Sequence, residues 1–283
     1  MTVLFLKLSR ILQLALANAF FLRVGIVVQV FFFRERKDMV RCTAEFTRTW
    51  ANAMCRILGI RVRMSGHFDE RRIGCIVSNH ISYLDILVIG SIIPSVFIAK
   101  HEVRRWPLIG WLARLAGTVF VVRGSRLSAP RSFGEMARIL ECGVNIVFFP
   151  EGTTTDGSLV AAFKSTFFHV PASLNIPVIP VSLKYTRVME RNEAEREMQP
   201  HLRDTVSWYG GMRLLPHFWH LLGLRRHIDA SLHFNPAIHG ICRMSGERKT
   251  RKALSAEACE SIRAGCDLIG GEQPSPRLLR SRC

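Results

Sequence analysis

Two short segments combine residue types that can carry chemistry. Residues 79–85 read Asn-His-Ile-Ser-Tyr-Leu-Asp, so His80 is followed five positions later by Asp85. A histidine with its own orienting carboxylate can act as a general base and remove a proton from an alcohol. Residues 149–153 read Phe-Pro-Glu-Gly-Thr and add a carboxylate and a hydroxyl. Together the two segments predict acyl transfer onto a hydroxyl.

The spacing of His80 and Asp85 restricts the local structure that can bring them together. On a regular helix, two residues five positions apart point ~140° away from each other. The pair can meet if His80 lies on a loop and Asp85 lies inside the following helix. Residues 76–78 predict a strand, Asn79 can end it, and Ser82 can cap the helix. His80 is therefore predicted at the carboxyl end of a strand, where open α/β sheets place their sites.

The order of apolar runs and periodic segments predicts the fold class. Short apolar runs predict strands at 61–64, 74–78, 95–99, 118–123, 144–149 and 178–184. Periodic segments predict helices at 38–58, 82–92, 107–115, 132–141 and 250–269. This alternation favours an α/β fold with a mostly parallel central sheet flanked by helices. Residues 187–227 are less periodic and are interpreted as an insertion or a membrane-facing flap.

Residues 3–33 form the most apolar stretch and predict a hydrophobic helical membrane anchor. Arg23 lies near the middle of this stretch, where a charge costs roughly 2.5–3.5 kcal/mol on insertion scales. Two membrane arrangements stay open, one poor transmembrane helix or a helical pair lying in one leaflet. A core helix hairpin is the alternative without a membrane. The predicted organisation is an N-terminal anchoring region (1–58), an α/β domain (59–245), and a C-terminal helix with a basic tail (246–283).

The helix predicted at 38–58 is amphipathic, and Gly59 is the residue type preferred just after a helix end. Its apolar stripe recurs every fourth position and is expected to pack on a core rather than on lipid. The stripe consists of Phe46, Trp50, Met54 and Leu58.

The charge balance predicts an anionic partner. The formal net charge is +17, from 39 Lys and Arg against 22 Asp and Glu. The arginines lie between apolar blocks, which favours an anionic membrane surface over nucleic acid. The eight cysteines include no C-x-x-C pair and predict reduced thiols in a cytosol-facing domain. We therefore expect a membrane location (the inner, cytoplasmic membrane in a bacterium) with the catalytic domain facing the cytosol.

The ordered motifs resemble the glycerolipid acyltransferase family, which includes bacterial and eukaryotic lysophosphatidic acid acyltransferases. The resemblance rests on the segments 79–85 and 149–153 and on Val-Ile-Pro-Val at 178–181. It also takes in Lys-His-Glu at 100–102 and Gly-Thr-Val-Phe-Val-Val-Arg at 117–123. By motif it covers about residues 60–185.

The resemblance implies direct transfer without an acyl-enzyme. His80 would act as the general base on the acceptor hydroxyl, and Asp85 would orient it. Cys75 and Cys142 are then expected to be small, partly buried hydrophobes rather than nucleophiles. Backbone N–H groups near Ser82 could stabilise the oxyanion. No metal or cofactor is expected, and the co-substrate is an acyl thioester of acyl carrier protein or coenzyme A.

The resemblance also implies which residues bind the substrate. Arg123 is a planar donor suited to phosphate or carboxylate. For Arg123 and Lys164, a solvated surface role is the alternative. The complete set of expected substrate-binding residues is Lys100, Arg123, Glu151, Gly152, Thr153 and Lys164.

The residues after Glu-Gly-Thr depart from the pattern of many lysophosphatidate enzymes. Thr154 stands where those enzymes carry arginine, and Asp156 adds a negative charge. A phosphate monoester would be held less well without that fixed positive charge. Chains with Glu-Gly-Thr-Thr resemble family members that act on other lysolipids, including lyso-ornithine lipid and lysophosphatidylcholine. The expected acceptor is still 1-acyl-glycerol-3-phosphate, giving phosphatidate. This departure from the motif makes lyso-ornithine lipid a close alternative.

Three other classes of protein fit the sequence less well. A non-catalytic lipid-binding protein would not need the intact His80, Asp85 and Glu151. An α/β hydrolase would need a Gly-x-Ser-x-Gly elbow, which the chain lacks. A metal enzyme is disfavoured because His217, His220 and His227 have no convincing ligand spacing.

Overall fold

The computed structural model describes residues 3–31, 35–106, 109–121, 130–188, 205–225, 227–241 and 248–271. The strands are β1 (Ile60–Gly66), β2 (Cys75–Ser78), β3 (Ser95–Lys100), β4 (Val119–Val121), β5 (Asn145–Phe148), β6 (Val178–Val188) and β7 (Ile228–Phe234). The helices are α1 (Val3–Phe31), α2 (Arg36–Leu58), α3 (Leu84–Gly90), α4 (Ile109–Leu115), α5 (Pro130–Glu141), α6 (His169–Leu174), α7 (Leu214–Leu222) and α8 (Arg251–Gly271). Two short 3-10 helices lie at His101–Arg105 and Ser165–Phe168.

The described strands form one seven-stranded sheet in the order β1-β7-β6-β2-β5-β3-β4. Strands β6, β2, β5, β3 and β4 run parallel to one another. Strand β7 is antiparallel to β6 and parallel to β1. Every residue of β2 and β5 is buried, because helices cover both faces of a parallel sheet. The predicted α/β fold with a mostly parallel central sheet is confirmed.

Strand β7 is the one described strand that the sequence patterns did not predict. Its sequence interrupts apolar residues with Asp229, Ser231 and His233, although the strand is largely buried. Asp229 is buried beside β1, where its Oδ2 lies 3.2 Å from Nη2 of Arg63. A buried carboxylate is tolerated when a cation compensates it. Because Arg63 comes from a distant strand, only the folded chain reveals that partner.

Helix α2 confirms the amphipathic helix predicted at 38–58. Met54 and Leu58 are buried in the core, whereas Phe46 and Trp50 contact α1. Gly59 follows the helix with φ of 73°, the left-handed conformation that favours glycine at a helix end. The stripe therefore packs on protein along its length.

Helix α1 is one continuous helix of 29 residues, so a helical pair within this stretch is excluded. The segment Val3–Val27 is long and apolar enough to cross a membrane, and almost none of it is buried. One side of α1 packs on α2, where Asn18 accepts a hydrogen bond from Trp50 Nε1 at 3.0 Å. The opposite side exposes large apolar residues, including Leu4, Leu8, Leu12, Leu16 and Phe20. This exposed face argues against the core hairpin, and whether the single helix crosses the bilayer or lies in one leaflet stays open.

Candidate active site

The site is built on the loop that follows β2. His80 lies on this loop, and Asp85 lies in the first turn of α3. Nδ1 of His80 is 2.7 Å from Oδ2 of Asp85. The loop-then-helix arrangement predicted for the pair is therefore confirmed. The change from strand to loop to helix lets residues five positions apart face each other, which one regular helix would prevent.

The Asp85 carboxylate is fully buried and holds several donors at once. Its Oδ2 accepts hydrogen bonds from the backbone N–H groups of Ile81 and Ser82, at 2.6 and 3.0 Å. Its Oδ1 accepts a hydrogen bond from the Tyr185 hydroxyl at 2.8 Å. Because the carboxylate is an acceptor, Nδ1 of His80 carries the proton in this pair. Nε2, which has no hydrogen-bond partner among the described residues, is left as the basic nitrogen.

The structure corrects two expectations about Ser82. The residue before α3 is Tyr83, and no side chain caps this helix. The Ser82 hydroxyl is buried without a hydrogen-bond partner in the described structure. The N–H groups of Ile81 and Ser82 both point at Asp85, so they are not available to an oxyanion. The Asp85 N–H, which a Ser82 cap would accept, donates instead to the Ser82 carbonyl at 3.1 Å. The buried Asp85 carboxylate takes the two N–H groups that an oxyanion would need.

The second motif segment holds the backbone of His80. Glu151 Oε1 accepts the N–H of His80 at 2.8 Å, across 71 positions of sequence. Thr155 donates its N–H and its hydroxyl to the carbonyl of His80, at 2.9 and 3.2 Å. The ring of Phe149 stacks on the His80 ring, with centroids 4.0 Å apart. The two segments meet because β2 and β5 are adjacent parallel strands, whose carboxyl ends lie at one edge of the sheet.

Glu151 is buried, and both of its oxygens have backbone partners. Oε1 bonds to the N–H of His80, and Oε2 accepts the N–H of Ala161 at 3.2 Å. Burial raises the pKa of Glu151 to about 7, although the two N–H groups act in the opposite direction. In the structure this side chain positions His80, and its role in binding the acceptor stays a prediction.

Three other expected substrate-binding residues lie around the turn after β5. Gly152 has φ of 71°, and a Cβ at this position would come within 2.5 Å of the Lys164 ammonium. The backbone N–H of Lys164 donates to the carbonyl of Pro150 at 2.9 Å. Thr153 and Lys164 are exposed. The structure therefore places the ammonium of Lys164 and the hydroxyl of Thr153 at the surface near the buried Glu151.

The remaining two expected residues are Lys100 and Arg123. Lys100 is the last residue of β3, which pairs with β5, and it is half-buried. Its position at a strand end brings it to the same edge of the sheet as His80. Arg123 lies outside the described residues, two positions after the end of β4.

Sequence reasoning missed Tyr185 and Thr155. Tyr185 follows the strand predicted at 178–184 and shares a face with Leu183, so its alternation marks it as inward-pointing. Burial, together with the nearby Asp85 charge, raises the pKa of Tyr185 well above its usual value, so the phenol remains a donor. No pattern indicated that Thr155 reaches the His80 carbonyl, because that contact depends on the path of the turn after β5.

The arrangement can remove a proton from a hydroxyl without a covalent intermediate. The imidazole of His80 is 17% exposed and has a basic nitrogen, and its partner carboxylate can stabilise the imidazolium. Cys75 is fully buried, and burial raises its pKa to about 12, so its thiol is not activated. Among the described residues, no group of three His, Cys, Asp or Glu is placed to hold a metal ion. The fold and site fit the class of transferases in which a histidine can serve as the general base.

Comparisons with known proteins agree with this class. The family described as Acyltransferase matches residues 59–184. The chain is 34% identical over 225 residues to a lyso-ornithine lipid O-acyltransferase of Rhizobium meliloti, covering 74% of each chain. It is 35% identical over 235 residues to that of Brucella abortus, covering 78% of this chain and 82% of the relative. It is 36% identical over 110 residues to a 1-acyl-sn-glycerol-3-phosphate acyltransferase of Neisseria gonorrhoeae, covering 39% of this chain and 43% of the relative.

The chain belongs to the acyltransferase family, and it is an enzyme of the type that acts on lysolipids in lipid biosynthesis. A solved structure shares its fold, the 1-acyl-sn-glycerophosphate (LPA) acyltransferase PlsC from Thermotoga maritima. The TM-score is 0.60 with 20% sequence identity, covering 94% of this chain and 100% of that chain. The predicted family resemblance is confirmed.

The raised pKa of Glu151 predicts that the fold loses stability as the pH rises. The unfolded chain releases this proton near its ordinary pKa of 4.5, and the folded chain releases it near 7. Between these values the folded state binds more protons, so the free energy of unfolding should fall by about 2 kcal/mol from about pH 5 to about pH 8. The measurement is urea unfolding in detergent at both pH values. Glu151→Gln cannot titrate there and should show a smaller decrease, whereas equal decreases in both proteins would contradict the assignment.

The hydrogen bond from Tyr185 to Asp85 predicts a positioning role. Tyr185→Phe should lower kcat by about tenfold, because a hydrogen bond to a charged group is lost and the carboxylate is less well oriented. The KM for the acceptor should change little. Tyr209→Phe is the matched control, since it also removes a half-buried phenol but one outside β6 and the His80 loop. A kcat for Tyr185→Phe equal to that of the wild type would show that Asp85 does not need this donor.

Proposed function

We propose that this protein is a membrane-associated O-acyltransferase that moves a fatty acyl group from a thioester to the free hydroxyl of lyso-ornithine lipid. The His80–Asp85 pair, with its 2.7 Å hydrogen bond, is the observation that supports the chemistry. The relatives that match about three quarters of the chain at 34% and 35% identity support the acceptor, since their names specify lyso-ornithine lipid. They span far more of the chain than the phosphatidate-forming relatives do.

The reaction follows from the geometry around His80. Nε2 takes the proton of the acceptor hydroxyl as the oxygen attacks the thioester carbonyl. The tetrahedral intermediate collapses, the C–S bond breaks as the ester C–O bond remains, and the imidazolium returns the proton to the leaving thiolate. Asp85 stabilises the imidazolium during both steps, because its carboxylate is fixed by donors from Ile81, Ser82 and Tyr185.

The charges near the turn after β5 support a zwitterionic head group. An ornithine head group carries both an amino group and a carboxylate, whereas a phosphate monoester is wholly anionic. The exposed ammonium of Lys164 lies over Gly152 and can meet a carboxylate. Asp156, whose Oδ1 also accepts the N–H of Ser158, adds negative charge two positions after Thr154. We infer that this mixture of charges suits ornithine better than phosphate.

The donor and the location complete the proposal. Acyl carrier protein and coenzyme A thioesters are both anionic, and either suits a chain of net charge +17. The mechanism requires no other cofactor. The exposed apolar face of α1 supports attachment to an anionic membrane surface, which we place at the cytoplasmic side of the inner membrane with the catalytic residues facing the cytosol.

The alternative acceptor is 1-acyl-glycerol-3-phosphate. It is favoured by the match to the Neisseria gonorrhoeae enzyme and by the positions of Lys100 and Lys164, two ammonium groups near the sheet edge that carries His80. Both acceptors would use the same base, so they differ only in the head-group contacts.

An assay with both acceptors tests the chemistry and the acceptor together. Membranes carrying the wild-type chain should form product from lyso-ornithine lipid and labelled acyl-carrier protein. His80→Ala should lower this rate by about 10²–10⁴, because the general base is lost. Product from lysophosphatidate alone would overturn the acceptor, and product that does not depend on His80 would overturn the base. Coenzyme A thioester replaces the carrier protein in a parallel reaction.

Replacing Thr154 tests the head-group interpretation. Thr154→Arg should raise kcat/KM for lysophosphatidate relative to lyso-ornithine lipid by about tenfold, since a charge-assisted hydrogen bond to phosphate becomes possible. Thr154→Gln, a long polar side chain without charge, is the matched control and should leave the ratio near that of the wild type. An unchanged ratio in Thr154→Arg would place the head group away from this turn.

A further inference from the structure

Helix α7 exposes apolar side chains beside the membrane-anchoring helix. Leu215 is 78% exposed and Trp219 is 44% exposed, one helical turn apart on the same side of α7. Pro216 between them is also exposed. Leu221 and Leu222 on the other side are buried in the core. We call the exposed residues Leu215, Pro216 and Trp219 the α7 face.

Helix α7 is fixed directly to α1. The Arg10 guanidinium of α1 donates hydrogen bonds to the carbonyls of Leu222 and Leu224 at the end of α7, at 3.1 and 2.7 Å. The ammonium of Lys7 lies 4.5 Å from the centre of the Trp219 ring. A cation at a helix C-terminus and a cation over an indole ring are both favourable contacts. They also bring two charged residues of α1 inward and leave its apolar face outward, next to the α7 face.

Helix α7 is also fixed to the catalytic loop. The hydroxyl of Tyr83, between His80 and Asp85 in sequence, lies 3.1 Å from Nδ1 of His217 on α7. The Tyr83 ring packs edge-on against Phe218, with centroids 6.4 Å apart. The position of α7 is therefore coupled through one side chain to the loop that carries the base.

We propose that the α7 face is a second membrane contact, which inserts into the bilayer beside α1 and holds the His80 loop near the lipid surface. The helix that carries this face contacts Lys7 and Arg10 of α1, whose exposed residues are mostly apolar. Exposed leucine, proline and tryptophan side chains suit the headgroup boundary. The exposed Arg213, just before α7, is placed to meet anionic headgroups. The consequence for lysolipid delivery rests on the proposed function, whereas the insertion itself does not.

Quenching of tryptophan fluorescence tests the insertion without any turnover. The full chain is reconstituted in phosphatidylethanolamine–phosphatidylglycerol vesicles, with and without lipids brominated near the headgroup end of the acyl chain. Trp219→Phe should lose part of the bromine-quenched emission of the wild type. Trp208→Phe is the matched control, because that indole is half-buried and donates to the carbonyl of Met212, and it should keep the quenched emission. Quenched emission in Trp219→Phe equal to that of the wild type overturns the proposal.

A second pair of variants links insertion to lysolipid use. Leu215→Asp should lower kcat/KM for the acceptor presented in these vesicles by about tenfold, since burial of the leucine is lost. Leu268→Asp is the matched control, because Leu268 is 53% exposed on α8, which packs on β6 and β7, and it should leave this value unchanged. Another outcome also overturns the proposal. If Trp219→Phe is quenched as strongly as the wild type and the wild type is a dimer that Leu215→Asp dissociates, a second copy of the chain covers the α7 face. Quenching as expected without turnover of either lysolipid would instead count against the proposed acceptors.

Discussion

The buried carboxylate of Asp85 is the interaction on which the active site depends. A carboxylate removed from water is stable only when hydrogen-bond donors replace its hydration. Here the donors come from the ring of His80, from two backbone N–H groups of the intervening loop and from Tyr185 on β6. Because the carboxylate cannot rotate without losing these bonds, it holds the imidazole in one tautomer and one orientation. The proposed catalytic base is therefore oriented by a charge that is itself buried.

A second buried carboxylate, Glu151, holds the same histidine from the other side. It bonds to the backbone of His80 rather than to the ring, while Thr155 holds the carbonyl and Phe149 stacks on the imidazole. Burial raises the pKa of Glu151, so the ionised carboxylate destabilises the fold. Such groups persist at functional sites because the rigidity they provide is worth more to activity than the lost stability. The two motifs of the sequence thus form a single clamp around one residue.

The relation between the site and the membrane follows from how helices α1 and α7 use their charged residues. Arg10 and Lys7 contact α7, so the exposed side of α1 carries mostly apolar residues, with Arg23 as the one charged residue exposed among the described side chains of α1. Tyr83 then joins α7 to the loop between His80 and Asp85. The exposed apolar surfaces of α1 and α7 and the His80–Asp85 pair are therefore parts of one packed unit. An acceptor that is itself a membrane lipid suits this arrangement, because it need not leave the bilayer surface to react.

Local patterns in the sequence were sufficient for the α/β class, for most strands and for the pairing of His80 with Asp85. Apolar runs and the strand-loop-helix transition are decided by neighbouring residues, so they can be read along the chain. Strand β7 could not be read in this way, since Asp229 is buried only because Arg63 of β1 lies beside it. The donors of Asp85, the inward position of Arg10 and the clamp on His80 also join residues far apart in sequence. Thus the sequence by itself determined the chemistry and its motif residues, whereas only the tertiary structure decided which partners hold them, because each buried charge needs a partner from a distant element.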